Sequence, residues 1–439
     1  MRSIIPALLV SWMAGSASHA QEERIIDNFS GLGVRAMGMG GAFVGVADDF
    51  TAVVWNPAGL AQMQKREIYL AFNRNGMTND SRLNTTTASS ELKNTRFGSM
   101  GFVYPYPAYR GSFVLAAGFN RIKDFDWSLE TRGFVDSLQS DSSFRHEGEL
   151  SMTSIAAAVD ISPSISLGLA LNITSGEDEA TNEFVDTDVD SLDYFLEKRF
   201  KDQEQFLDNY QTSYGATLGL LVRSQREDPT LRFGATISTG RTQEISYTFK
   251  AAPADQFSLV EYDDGRIEQA PSVTFRDSYK ISVPIELGIG GSYRPRPELL
   301  LAASAHVSEW TQVKYQGTDT GNLRSNAAFE TQYEDVLRYH LGVEYMVPDI
   351  ALDLRAGFYA DPLPFVGPRD SNRSVDETAN PLVVALQDRS YWTAGAGLMV
   401  EQVMRIDVAW NRGTFERREG PLVEDVTANR VFIGISYGF

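Results

Sequence analysis

The chain contains no cysteine among its 439 residues. Disulfide frameworks, thiolate metal centres and cysteine nucleophiles are excluded at once. It also lacks any long apolar run past the amino terminus. A helix needs roughly 20 apolar residues to cross a bilayer, and no later segment supplies them. Basic residues are outnumbered, 39 Lys and Arg against 58 Asp and Glu, for a net charge of −19. Such a surface opposes nucleic-acid binding and fits long, solvated, acidic loops. No repeat of 40–50 residues is visible, so a propeller lacks its usual signature.

What is present begins with an export signal. Arg2 provides a short positive region, residues 4–14 are mostly apolar, and Ala17-Ser18-His19-Ala20 places small residues where a signal peptidase reads. Residues 1–20 are expected to be removed, with cleavage after Ala20. The carboxyl end is equally distinctive. In VFIGISYGF, Val431, Ile433, Ile435, Tyr437 and Phe439 share one face of a strand, while Phe432, Gly434, Ser436 and Gly438 share the other. A strand with one lipid-facing side has this form. The terminal aromatic resembles the recognition signal of bacterial outer-membrane β-barrels. That resemblance implies insertion by the barrel-assembly machinery, reading Tyr437 and Phe439.

Between these ends lie two textures. Residues 21–64 are rich in Gly and Ala and lack sustained alternation. They read as a compact hatch of short helices and turns, because closely spaced glycines permit tight backbone conformations. From residue 65 a period of two takes over. Candidate strands lie near 66–74, 95–105, 111–121, 149–160, 164–174, 210–223, 230–242, 277–292, 298–310, 334–346, 350–360, 390–400, 404–412 and 428–439. The clearest sets Tyr279, Ile281, Val283, Ile285, Leu287 and Ile289 against Lys280, Ser282, Pro284, Glu286, Gly288 and Gly290. Short connections alternate with long ones at 75–94, 122–148, 175–209, 243–276, 311–333, 361–389 and 413–427. Short periplasmic turns, long outer loops and an even strand count define a transmembrane barrel. The predicted fold is an all-β, fourteen-stranded antiparallel barrel over residues 65–439, with the hatch in its lumen. A soluble sandwich would have no reason to lengthen every second connection.

Asn56-Pro57-Ala58-Gly59-Leu60 follows Ala47-Asp48-Asp49 within RAMGMGGAFVGVADDFTAVVWNPAGL. This stretch resembles the amino-terminal hatch of the FadL-like outer-membrane transporters of long-chain fatty acids and other hydrophobic compounds. A related branch, the PorV-like barrels of protein secretion and surface attachment, shares the same opening. Asn before Pro is pushed out of the helical region, Pro57 fixes its own torsion, and the Asn56 side chain can bond nearby backbone. By resemblance, Asn56, Pro57 and Ala58 are the gating residues, touching an inward kink in a neighbouring strand. A purely structural turn is the alternative.

Other features are weaker. GMGGAF lacks the strand and crossover of a nucleotide cradle, and Asp48-Asp49 without further ligands reads as a solvated turn rather than a metal site. Neither a cofactor nor a metal is expected. In the acidic stretch 175–209, Leu192, Phe195, Leu196 and Phe200 recur at helical spacing. They are candidates for an outer docking groove, or for a helix packed on the rim. The acids around them can take divalent cations that bridge lipopolysaccharide, or simply stay solvated. Inward positions include Arg232, Lys280, Arg355, Arg405 and Arg430, which match a carboxylate head group or serve as ordinary polar filling. His306 and Ser308 fall on one face without a third catalytic member, so no enzyme is expected. The function expected is passive uptake of hydrophobic molecules through a hatch-gated outer-membrane channel. A PorV-like role in secretion and a general porin are the alternatives.

Overall fold

The computed structural model describes residues 29–135, 138–189, 197–225, 229–251, 259–269, 272–317, 326, 329–330, 333–364 and 384–439. The expected signal peptide lies outside them. The wall is built from β1 (Glu67–Leu83), β2 (Thr86–Tyr106), β3 (Phe113–Asp124, continued as Trp127–Val135), β4 (Leu138–Ser162), β5 (Ile165–Thr187), β6 (Glu197–Arg223) and β7 (Leu231–Ser238, continued as Arg241–Ala251). It continues with β8 (Val273–Val283, then Glu286–Arg296), β9 (Leu299–Ser308), β10 (Val336–Val347), β11 (Leu352–Asp361), β12 (Val384–Val400), β13 (Met404–Glu419) and β14 (Leu422–Gly438). Each pairs antiparallel with its sequence neighbours. β14 returns to β1, from Glu67 opposite Gly438 to Leu83 opposite Leu422, and closes the cylinder.

Alternation places apolar side chains outward. Leu167, Leu169, Leu171 and Ile173 of β5 are exposed, as are Leu218 and Leu220 of β6. In water such a surface would be a liability; in a bilayer it is the solvent-matched face. Aromatic side chains flank the band, as they do in membrane barrels. Tyr106, Tyr293, Tyr345 and Tyr437 stand toward the short-turn end, and Tyr214, Tyr339 and Trp392 toward the other, all exposed.

Most of the long connections prove to be continued strand. β1 and β2 stay paired as far as Leu83 and Thr86. β4 runs for 25 residues and β6 for 27. Above the membrane both faces of a strand meet water, so polar residues occupy both and the period-two signal vanishes. The backbone still pairs. These extensions form an outer lobe over the barrel mouth.

Two irregularities shape the lumen. The first is an inward kink of β3. Pairing of β2 with β3 runs from Tyr106 opposite Phe113 only as far as Ser99 opposite Asn120. The upper half of β3 then crosses the inner face of β1, where the Asn79 side chain donates to Ser128 O at 3.0 Å. The second lies in β8. Ile281 and Val283 are buried at 0% and 7% exposure, whereas Ile285, Leu287 and Ile289 are exposed at 38%, 42% and 64%. The single lipid-facing row expected from Tyr279 to Ile289 therefore switches sides. Val283 pairs with Arg241 and Glu286 with Ser238, leaving Pro284 and Ile285 outside the ladder. That offset of three residues reverses the face. Lys280 consequently points away from the lumen, half-exposed beside Glu244 at 3.3 Å.

This boundary is testable. Ile289→Arg on the lipid-facing part of β8 is expected to cost about 2–4 kcal/mol. Phe275→Arg, also exposed but above the apolar band, should cost much less. Urea titration of the two variants refolded into vesicles measures both.

Candidate functional site

The hatch segment enters the lumen as α1 (Val34–Gly38), α2 (Ala52–Trp55) and a 3-10 turn (Pro57–Gln62). Its helices are short because glycines interrupt them; Gly40 and Gly41 sit at φ 63° and 74°, where a side chain would be strained. It winds around the wall from strand to strand. Thr393 of β12 donates to Gly38 O at 3.1 Å, Ser304 of β9 to Gly41 O at 3.3 Å and Ser292 of β8 to Gly45 O at 3.2 Å. Phe50 fills the opposite side, against Gly101 and Gly118 of β2 and β3. Phe43, Phe50, Met37, Met39 and Leu60 are fully buried. At this height the lumen is packed shut.

Asn56 joins three parts of that packing. It is wholly buried, at φ −164°. Its Nδ2 donates to Val44 O at 2.9 Å and to Leu220 O of β6 at 3.1 Å, and its Oδ1 accepts from Ala58 N at 3.1 Å. Pro57 and Ala58 press on bare backbone: a methyl group on Gly168 or Gly219 would overlap them. The turn thus contacts β5 and β6.

Below the hatch lies an ion network. Arg35 grips Glu344 with two bonds, at 2.8 and 2.7 Å, and also pairs with Asp48. Arg232 reaches Asp48 at 3.1 Å; Arg355 reaches Glu344 and Asp407 at 2.7 Å each; Arg405 binds Asp407 at 3.2 Å and Asp353. Arg430 donates to the carbonyls of Phe29 and Ser30 at 2.8 and 3.1 Å. Four of the five expected head-group residues are therefore inside the barrel but engaged with the hatch or the wall, and the fifth, Lys280, is outside. Burial would raise the Asp48 carboxyl, but Arg35 and Arg232 outweigh it and hold it below its ordinary range. Burial pushes Asp49 up, only partly opposed by Arg35 and its bonds from Thr51.

Above the hatch is a cavity of about 220 Å³. Phe29, Leu32 and Trp55 form its floor, and Met152, Val283, Pro284 and Trp310 its sides. The Phe29 and Trp55 rings meet edge-on at 5.9 Å, as do Trp55 and His306. The polar side holds Glu286, which bonds Arg338 at 2.5 Å and lies 3.5 Å from His306. Next to it stands Arg241, whose buried Nε finds no hydrogen-bond partner among the described residues. Sequence reasoning missed Arg241 because the face reversal in this part of the wall moved the inward set by one position. The signal available was Pro284, which cannot sit inside a regular ladder.

The remaining expectations divide. Leu192, Phe195 and Leu196 lie outside the described residues. Phe200 is on β6, paired with Asp186, its ring 5.8 Å from Phe184; the helix expected through it is replaced by strand because β5 supplies a ladder there. Tyr437 and Phe439 are exposed and stacked at 5.9 Å, and Phe439 N bonds Arg66 O at 3.0 Å beside the barrel seam.

The model of the outer membrane protein transport family, OMPP1/FadL/TodX, matches residues 7–425. The chain belongs to that family. FadL/TodX proteins are outer-membrane transport proteins, so the barrel is a channel protein of the outer membrane and not an enzyme. Its fold is similar to a Pseudomonas aeruginosa FadL homologue, at TM-score 0.63 and 14% identity over 94% of this chain and 100% of that one. It is similar to the P. putida toluene transporter TodX at 0.62 and 14%, over 94% and 99%. The Ralstonia pickettii toluene transporter TbuX matches at 0.58 and 15%, over 94% and 99%. No curated protein matches the sequence.

Asn56→Ala removes three hydrogen bonds and strands buried backbone carbonyls, at an expected cost on the order of 2 kcal/mol or more. Protease sensitivity of the hatch in otherwise folded barrels should rise. Asp48 makes a second test. Its folded pKa lies below the unfolded one, so its contribution is complete above the ordinary value of 3.8 and disappears as pH falls below it. Asp48→Asn should destabilise the hatch at pH 7, and its difference from the unmodified protein should shrink progressively as pH falls below 3.8. Asp49, shifted the other way, should tolerate Asn at pH 7 without loss.

Proposed function

We propose that the protein is a passive channel for small hydrophobic compounds, which settle in the cavity above the hatch before crossing the membrane. The observation that carries this reading is the cavity itself. Aromatic and aliphatic groups line its floor and much of its sides, charged groups gather on one side, and it sits directly on a packed plug. A cavity of roughly 150 Å³ lined by apolar groups holds benzene, so about 220 Å³ suits a single ring or a medium-length chain. A long-chain fatty acid would extend beyond it into the outer lobe. Relatives described as toluene transporters and as a monoaromatic hydrocarbon channel support the smaller class. Displacement of the turn at Asn56–Ala58 is the proposed gate.

Arg241 gives the cavity one polar preference. A guanidinium with an unused donor beside an apolar floor suits a compound with an acidic end. Labelled toluene, octanoate and oleate uptake should be measured in cells lacking other such channels. Toluene and octanoate are expected to enter faster than oleate. Arg241→Gln should lower octanoate uptake about tenfold, as loss of one charge-assisted bond would, and leave toluene unchanged. Equal loss for both compounds would remove the head-group role. Absence of all uptake would overturn the channel reading.

A further inference from the structure

The outside of the barrel carries an ordered set of charges above the apolar band, on β13, β14, β1 and β2. The band ends there in the outward row Val408, Ile433 and Phe72, all exposed and paired in that order. The next outward row, about 6.8 Å further along the strands, is Trp410, Val431, Arg74 and Thr95. The row after it is Trp392, Arg412, Asn429, Gly76 and Lys93. Above stand Thr414, Thr427, Thr78 and Glu91, and above those Glu416, Asp425 and Asp80. From the hydrocarbon outward the order is therefore apolar, aromatic with basic, mainly hydroxyl, then acidic.

The basic groups of this patch are not consumed by the protein. Arg74 and Arg412 are exposed, and their side chains have no hydrogen bond or ion pair among the described residues. The half-buried Asn429 side chain has none either. The luminal arginines are the opposite case, since each is engaged with a carboxylate or a carbonyl. Lys93 pairs with Glu91, and its stem leans over Gly76. A Cβ at position 76 would meet only Asn429 O at 3.6 Å and Lys93 Cγ at 3.7 Å. The bare backbone of Gly76 thus leaves a shallow depression between Lys93 and Asn429, with Arg412 beyond Asn429 and Arg74 below. Trp392 and Trp410, 68% and 42% exposed, stand on its β12 side. Elsewhere the outer aromatic girdle has apolar neighbours: Tyr214 is paired with Ile173, and Tyr339 with Ala305 and Ala360.

We infer that this patch binds the phosphate of a phosphorylated glycolipid in the outer leaflet, the class to which lipopolysaccharide belongs. The acyl chains lie against Phe72, Ile433 and Val408. The phosphate, at the head of those chains, meets Arg74 and Arg412, whose planar forks match phosphate oxygens bidentately, and the free amide of Asn429. A phospholipid ends near this height. A glycolipid continues upward, and its sugar hydroxyls meet the threonine row. The acidic row above repels a bare anion and so sets the upper limit of the phosphate position. Arginines that merely snorkel to water would have no reason to gather on four adjacent strands beside an unengaged amide. The inference goes beyond the channel reading and does not depend on what the lumen carries.

The full-length protein, folded in detergent, is titrated calorimetrically with three probes: bisphosphorylated lipid A, the same lipid with both phosphates removed, and a phosphatidylglycerol of matched chain length. The bisphosphorylated lipid is expected to bind about tenfold or more tightly than either of the others, as a charge-assisted bond would give. Arg74→Gln/Arg412→Gln should weaken its binding by about the same factor. Arg276→Gln/Lys280→Gln, which removes equal charge from exposed positions on β8, should leave it unchanged. Equal affinity for lipid A with and without its phosphates, or for phosphatidylglycerol, would overturn the glycolipid site, and so would equal weakening by the two double variants. The comparison among lipids needs no variant, so it decides even where a substitution disturbs insertion. Both double variants should retain the uptake of the unmodified protein, which keeps this test separate from that of the channel.

Discussion

A backbone inside hydrocarbon has no water to bond, so every N–H and C=O at membrane depth must find a partner within the protein. That requirement closes β14 onto β1 and makes the barrel. It also explains where the barrel departs from regularity. Unpaired backbone is tolerated only where side chains replace the ladder or where protein fills the space behind it. The kink of β3 is covered by ion pairs, and the gap in the β6–β7 ladder by paired bonds between Ala216 and Thr239 and by the bond from Ser213 to Gln243.

The same requirement governs the hatch. A polypeptide threaded through a barrel brings its own polar backbone into the lumen. Thr393, Ser304 and Ser292 each answer one of its carbonyls. Close approach needs glycine on both sides, and so the hatch glycines face wall glycines such as Gly357 and Gly395. The plug is therefore a packed core in its own right, held from below by Arg35 and its carboxylates. The cavity exists because this core ends abruptly at Phe29, Leu32 and Trp55, while the outer lobe closes over from above.

Strand periodicity was legible wherever one face met lipid. The Leu167–Ile173 row and the terminal Val431–Phe439 row appear in the barrel as their spacing implies. Strand continuations above the membrane were not legible, because a strand in water on both sides carries no apolar alternation. Arg232, Arg355, Arg405 and Arg430 were correctly placed inward, but spacing along one strand says nothing about which carboxylate or carbonyl waits across the lumen. Lys280 was placed on the wrong side, and Arg241 was missed, because a break at Pro284, and its partner at Thr239–Gly240, reversed the faces.

The sequence alone determined an exported chain, a glycine-rich hatch, a fourteen-strand count and the Asn56-Pro57-Ala58 turn, since each is a local pattern of period, composition or torsion. The tertiary structure alone decided which arginines are consumed by ion pairs, where the plug ends, and where the wall departs from a regular ladder. Those outcomes depend on contacts between strands far apart in the chain, and an interruption of the ladder at Pro284 is enough to turn a row of side chains to the other face.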